Sequence, residues 1–190
     1  APLRGSVMSR LNHVELAEAT GEAKELLAAV NNQFGMVPNF MQVFANSPPT
    51  LAAFLGLNTN LHRGTLDAGT RERIALAMAE GNACQYCASA HTALGKQAGL
   101  DASEIRAARE GSSADAKADA AVKFALAVLE NKGDITTGEL EAVRQAGYDD
   151  AQIVEIIGHI GLNTLTNYFA KAARIDIDFP QVQLLATTEA

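Results

Sequence analysis

A chain of 190 residues is long enough for one domain with a substantial core, and its 48% hydrophobic content excludes global disorder. The net charge is −7, and the 15 Lys and Arg residues are scattered, which argues against a nucleic-acid partner or an anionic membrane surface. The longest apolar runs, such as residues 124–129, fall far short of the roughly 20 residues that cross a bilayer.

Residues 1–7 read as irregular, and no apolar leader of secretory type is recognisable. From there almost every segment follows the helical period. Leu16, Ala19, Ala23, Leu26, Leu27 and Val30 share one stripe, predicting a helix that ends near Gly35 ahead of Pro38. Ser47 with Pro48 predicts a capped helix running to about Arg63. Asp67 opens another, which carries Glu72, Ile74, Leu76 and Met78 and closes near Gly81. Asn82 then caps a helix that holds both cysteines and runs to about Gly99.

Asp101 with Glu104, Thr136 with Glu139, and Asp149 with Gln152 have the spacing of reciprocal caps and predict three more helices. Between the first two of these, Ala118, Ala121, Val122, Ala125, Val128 and Leu129 form a further helical stripe. The last helix is the longest, with Ile153, Ile156, Ile157, Ile160, Leu165 and Phe169 expected to point inward. Residues 174–179 alternate as a strand would but read as an extended tail. With no linker, composition shift or repeat, residues 1–190 are expected to form a single all-α domain, a helical bundle.

The informative stretch surrounds the only two cysteines, Cys84 and Cys87. A lone pair three residues apart does not make a stapled secreted framework. It fits redox or metal chemistry in a reducing compartment, so a cytoplasmic location is expected. Cys84, Cys87 and His91 are spaced i, i+3, i+7 and share one helix face. The helix N-terminus favours thiolate over thiol, His91 can take up or return a proton, and the spacing permits a disulfide. A thiolate, a base and a resolving thiol suffice to reduce a peroxide or a disulfide. Two bland readings compete: buried cysteines serving as small core hydrophobes, and zinc. Zinc is short of ligands, because only His13, His62 and His159 remain and there is no second CxxC.

Residues 70–91 resemble the signature of the carboxymuconolactone decarboxylase and alkylhydroperoxidase D superfamily. That signature is a glutamate, a CxxC twelve residues on, and a histidine four residues after the second cysteine. Glu72, Cys84, Cys87 and His91 match it position by position. Residues 163–168 and 175–180 resemble a subgroup described as peroxidase-related.

The resemblance implies an all-α fold with the CxxC at the N-terminus of a central helix, and assembly into a homotrimer or a multiple of it. It also implies a thiol-dependent peroxidase acting on a small-molecule hydroperoxide. In such an enzyme Cys87 becomes the sulfenic acid, Cys84 resolves it, and Glu72 with His91 relays protons. No cofactor is expected beyond an external dithiol donor, a dithiol reductant protein. One departure stands out: alkylhydroperoxidase D has a histidine where this chain has Tyr86, which bears on donor and substrate rather than on the thiol chemistry. Decarboxylases of the superfamily generally lack the cysteine pair. The alternatives are a general disulfide reductase and a non-catalytic, redox-sensing helical oligomer.

Several residues carry weaker signals. On a straight helix Glu72 would lie about 120° around the axis from Cys84, so it reaches the site only if the chain bends at Gly81 and Asn82. Glu80 is its local rival, read as a solvated helix-end carboxylate. His159 reads as a satisfied core histidine, and His13 and His62 as surface residues. Tyr86 faces away from the cysteine stripe, toward a pocket or an interface. The polar residues 163–167 suggest a cap or a subunit contact.

Overall fold

The computed structural model describes residues 9–185, and every regular element among them is an α-helix. The residues read as irregular, 1–7, lie outside that range. In chain order the helices are α1 (Gly21–Phe34), α2 (Asn39–Phe44), α3 (Pro48–His62), α4 (Ala68–Gly81), α5 (Gln85–Gln97), α6 (Ala102–Arg109), α7 (Ala116–Glu130), α8 (Thr137–Gln145) and α9 (Asp150–Ala173). The all-α reading holds.

α4 is the hub, packed against α5, α6, α7 and α9. Its residues from Ile74 to Ala79 are all buried, as a helix surrounded by others requires. Many are alanines, which let neighbouring backbones approach closely. One core cluster is aromatic: Phe44 and Phe169 lie 4.0 Å apart between ring centroids, and Phe40 and Phe54 lie 5.5 Å apart. A second, mostly aliphatic cluster gathers Ile74, Met78, Phe124, Val143, Ile153 and Ile156.

The reciprocal caps at Thr136 with Glu139 and at Asp149 with Gln152 form as expected. At α6 only half of one does. Asp101 accepts from the Glu104 backbone, but the Glu104 carboxylate turns to Arg73 at 2.8 Å and to Ser113 and Ala114. A charge-assisted partner outbids the backbone N–H of its own cap.

Three further differences have local causes. Leu16 and Ala19 precede α1, which starts only at Gly21, although Ala19 is buried as its stripe required. The six-residue α2 is too short to give a periodic signal. On α9, Ile153, Ile156 and Ile160 point inward, but Ile157 is 47% and Leu165 41% exposed. The helix carries more apolar residues than one buried face can use, so a second apolar stripe faces outward.

Arg174 ends α9 in a left-handed conformation, residues 175–185 form no regular element, and no strand occurs among the described residues. This tail crosses back over the cysteine end of the bundle. The Asn39 backbone N–H donates to Asp178 at 2.7 Å, Gln85 to the Val182 carbonyl at 3.1 Å, and the Val182 N–H to Ser89 Oγ at 3.1 Å. Among the described residues no helix is long and apolar enough to cross a membrane.

Candidate active site

The site is built on the turn between α4 and α5. Asn82 ends α4 and does not cap α5, as the sequence had suggested. Its side chain is drawn to Asn167 Oδ1 at 2.9 Å, and its carbonyl accepts from Lys171 Nζ at 2.6 Å. Ala83 then takes a left-handed conformation, with φ of 50°. The Cys84 N–H bonds to the Ala79 carbonyl and the Ala83 N–H to the Glu80 carbonyl, the paired bonds of a Schellman ending. Alanine in that position costs roughly 1–2 kcal/mol.

The turn makes Cys84 itself the N-cap of α5, its sulfur accepting from the Cys87 N–H at 3.3 Å. Cys84 and Cys87 are joined as a disulfide with Cα atoms 5.3 Å apart, so the structure represents the oxidised state. Both are buried, at 1% and 3% exposure.

The same bend swings α4 alongside α5 and brings Glu72 to His91, with Oε2 2.8 Å from Nδ1. A carboxylate only accepts, so His91 Nδ1 carries a proton, and in the neutral imidazole Nε2 is then the acceptor. Both side chains are largely sheltered from water. Glu72, His91 and Cys87 line one cavity of about 520 Å³; Cys84 does not. Phe40, Met41, Phe54, Leu94, Leu162 and Phe179 supply its apolar wall. Its polar lining includes Arg71, His62, His159, Asn163 and Thr166.

All four residues singled out from the sequence therefore meet at one end of the bundle, with Cys84 set behind Cys87. Glu80 does not join them. It pairs with Arg109 at 2.6 Å and accepts from the Leu185 N–H, so it is a sheltered structural carboxylate and not the solvated one expected.

Tyr86 takes the pocket option. It lines the cavity, its ring stacks on Phe40 and its hydroxyl donates to Asp178 at 2.9 Å. Burial, together with the Asp178 charge, pushes its pKa well above the usual tyrosine range, so it stays a neutral donor. His62 is exposed as expected, with Nδ1 donating to the Asn58 carbonyl at 2.8 Å. His13 is half-buried against Gln42 and Ser9. His159 is buried at 3% exposure, but it is not satisfied: its Nε2 has no hydrogen-bond partner among the described residues. Asn163 and Asn167 are buried inside the fold, bonding the His159 carbonyl and Asn82.

Arg71, Phe179 and Asp178 belong to the site or its support; all three fall in stretches of family resemblance, but no role at the site was expected of them. Asp178 meets Tyr86 across 92 residues, a separation at which no spacing rule operates. Among the described residues no three His, Cys, Asp or Glu side chains converge as metal ligands.

Residues 48–131, which contain all four site residues, match the model of the carboxymuconolactone decarboxylase family. Among solved structures, the chain is similar to an alkylhydroperoxidase AhpD core described as an uncharacterized peroxidase-related protein from Ralstonia eutropha JMP134. The TM-score is 0.82 and the identity 24%, over 92% of this chain and 94% of that one. A peroxidase-related protein from Silicibacter sp. TM1040 gives 0.79 at 24% identity, over 92% and 95%. The debrominase Bmp8, solved in complex with 2,3,4-tribromopyrrole, gives 0.77 at 18% identity, over 91% and 94%. At these identities the likeness is one of fold. No curated protein matches the sequence.

Proposed function

With the alkylhydroperoxidase D and carboxymuconolactone decarboxylase superfamily now supported by both the family match and the fold, we propose that this chain is a thiol-dependent peroxidase. The observation that carries the proposal is that Cys87, and not Cys84, lines the apolar cavity alongside the Glu72–His91 pair.

In the reduced protein, His91 Nε2 takes the Cys87 thiol proton, and the imidazolium is stabilised by Glu72. The Cys87 thiolate attacks the terminal oxygen of a hydroperoxide, the O–O bond breaks, and the proton on His91 passes to the departing alkoxide. The products are Cys87 sulfenic acid and an alcohol. The Cys84 thiol then attacks the Cys87 sulfur, expelling water and forming the disulfide. An external dithiol, in the cell a dithiol reductant protein, reduces the disulfide by exchange and closes the cycle. The cysteine pair fits the reducing environment of the cytoplasm.

The test is steady-state turnover of cumene hydroperoxide and hydrogen peroxide with a panel of dithiol donors. Sustained turnover supports the reading. Oxidation that stops after one equivalent with every donor would leave a redox switch, and disulfide turnover without peroxide consumption a general reductase. The shared fold of the debrominase makes that measurement decisive, because the fold alone does not select the reaction.

The outward stripe of α9, with Val154, Ile157, Leu165 and Tyr168 exposed, supports a homo-oligomer, a trimer or a multiple of it. Light scattering is expected to give at least three times the chain mass of 20.0 kDa. A stable monomer at micromolar concentration would overturn the assembly.

A further inference from the structure

We propose that His159 is a ligand-binding group of the cavity, its Nε2 hydrogen-bonded to a neutral oxygen function carried on an apolar body. The identity of that oxygen, the hydroperoxyl of the substrate or the hydroxyl of its product, rests on the peroxidase reading; the binding role does not.

Two independent observations carry the proposal. The first is an unsatisfied atom. His159 lies on α9 between Ile156 and Ile160, yet its Nε2 is buried without a partner among the described residues. That atom is shielded from bulk water, so solvent does not satisfy it. A buried polar atom left this way destabilises the fold, and an apolar residue here would avoid the penalty. The second is position. The imidazole lines the same cavity as Cys87, Glu72 and His91. Its χ2 torsion is soft and two-fold, so the ring can turn Nε2 toward a ligand seated there.

The chemistry of the ligand follows from the surroundings. Burial, with His62 and Arg71 nearby, lowers the His159 pKa to about 4, so the ring is neutral near pH 7. A neutral imidazole has one donor and one acceptor, and a hydroxyl or hydroperoxyl can complement either tautomer. The rest of the molecule is expected to be mostly apolar, because Phe40, Phe54, Leu162 and Phe179 line the same cavity. A cavity of about 520 Å³ falls in the range that holds organic ligands and far exceeds the needs of hydrogen peroxide.

The probe is 2-phenyl-2-propanol, the alcohol left by cumene hydroperoxide, titrated into the oxidised full chain while the imidazole nitrogens are followed by NMR. The His159 resonances are expected to shift on binding. His159→Leu is expected to weaken binding about 5- to 30-fold, the loss of one buried hydrogen bond, and His159→Gln to recover part of it. In turnover, His159→Leu should raise KM for cumene hydroperoxide with kcat held.

Unshifted His159 resonances in a saturated complex, or unaltered alcohol binding by a folded His159→Leu protein, would overturn the proposal and leave Nε2 to a trapped water. Should His159→Leu fail to fold, the wild-type resonance shift decides alone. Alcohol binding that depends on His159 in a protein that turns over no peroxide would sink the peroxidase reading and keep this one.

Discussion

Cys87→Ser is expected to abolish hydroperoxide turnover and leave no sulfenic acid on Cys84, whereas Cys84→Ser should leave a trappable sulfenic acid on Cys87. Two physical effects pull in opposite directions. The helix dipole favours a thiolate on Cys84, and the structure strengthens that case: Cys84 is the N-cap of α5 and accepts from the Cys87 N–H. At roughly 0.3–1 kcal/mol this is the smaller term. His91 stands one helical turn from Cys87, and a positioned base contributes about 10²–10⁴-fold in rate, or about 3–5 kcal/mol of barrier. Access points the same way, because only Cys87 lines the cavity. The stabilised Cys84 sulfur then has a different use: it is the better leaving group when an external dithiol attacks Cys87. Labelling with a dimedone-type reagent decides the matter. Label on Cys84 in the Cys87→Ser protein, with none on Cys87 in the reciprocal variant, would reverse the roles.

Removing the base is the second large effect. His91→Gln should lower kcat/KM for organic hydroperoxides by about 10²–10⁴, with the disulfide still forming under excess oxidant. Glu72→Gln can still accept from His91 Nδ1 through its amide oxygen, so the ring stays oriented. What it loses is the charge that stabilises the imidazolium, a charge-assisted bond of about 1.5–3 kcal/mol, or about 10- to 100-fold in rate. Because Glu72 acts through His91, the double variant should be no slower than His91→Gln alone. Additive losses, or a change under threefold in either single variant, would remove the pair from the reaction.

Much of this architecture was legible in the sequence because it rests on local rules. Caps at Asp67, Thr136 and Asp149 depend on side chains reaching a few residues along the chain, and they formed as their spacing required. The CxxC and its in-register histidine are equally local. The meeting of Glu72 with His91 was not readable from geometry, because it depends on a left-handed alanine at position 83. Alanine carries no signal for that conformation, and the bend is held from outside by Asn167 and Lys171, some 85 to 89 residues away. Glu80 was misread for a similar reason, since Arg109 and the tail that shelter it come from later in the chain. On α9, periodicity marked which residues were apolar but could not say which of two apolar faces the other helices would claim.

The tail has a consequence for how the protein is made. Val182, which bonds Ser89 beside the cysteine pair, follows it by 93 residues, and Asp178 follows Tyr86 by 92. At about 5–20 residues per second, the ribosome finishes this part of the wall roughly 5–20 s after synthesising the cysteines. For that interval the thiols of the nascent chain lack part of their cover. Premature oxidation is nonetheless harmless to the outcome of folding. With only two cysteines in the chain, the sole intramolecular disulfide available is the native one, and it closes within a single helical turn whatever the rest of the polypeptide has yet to do.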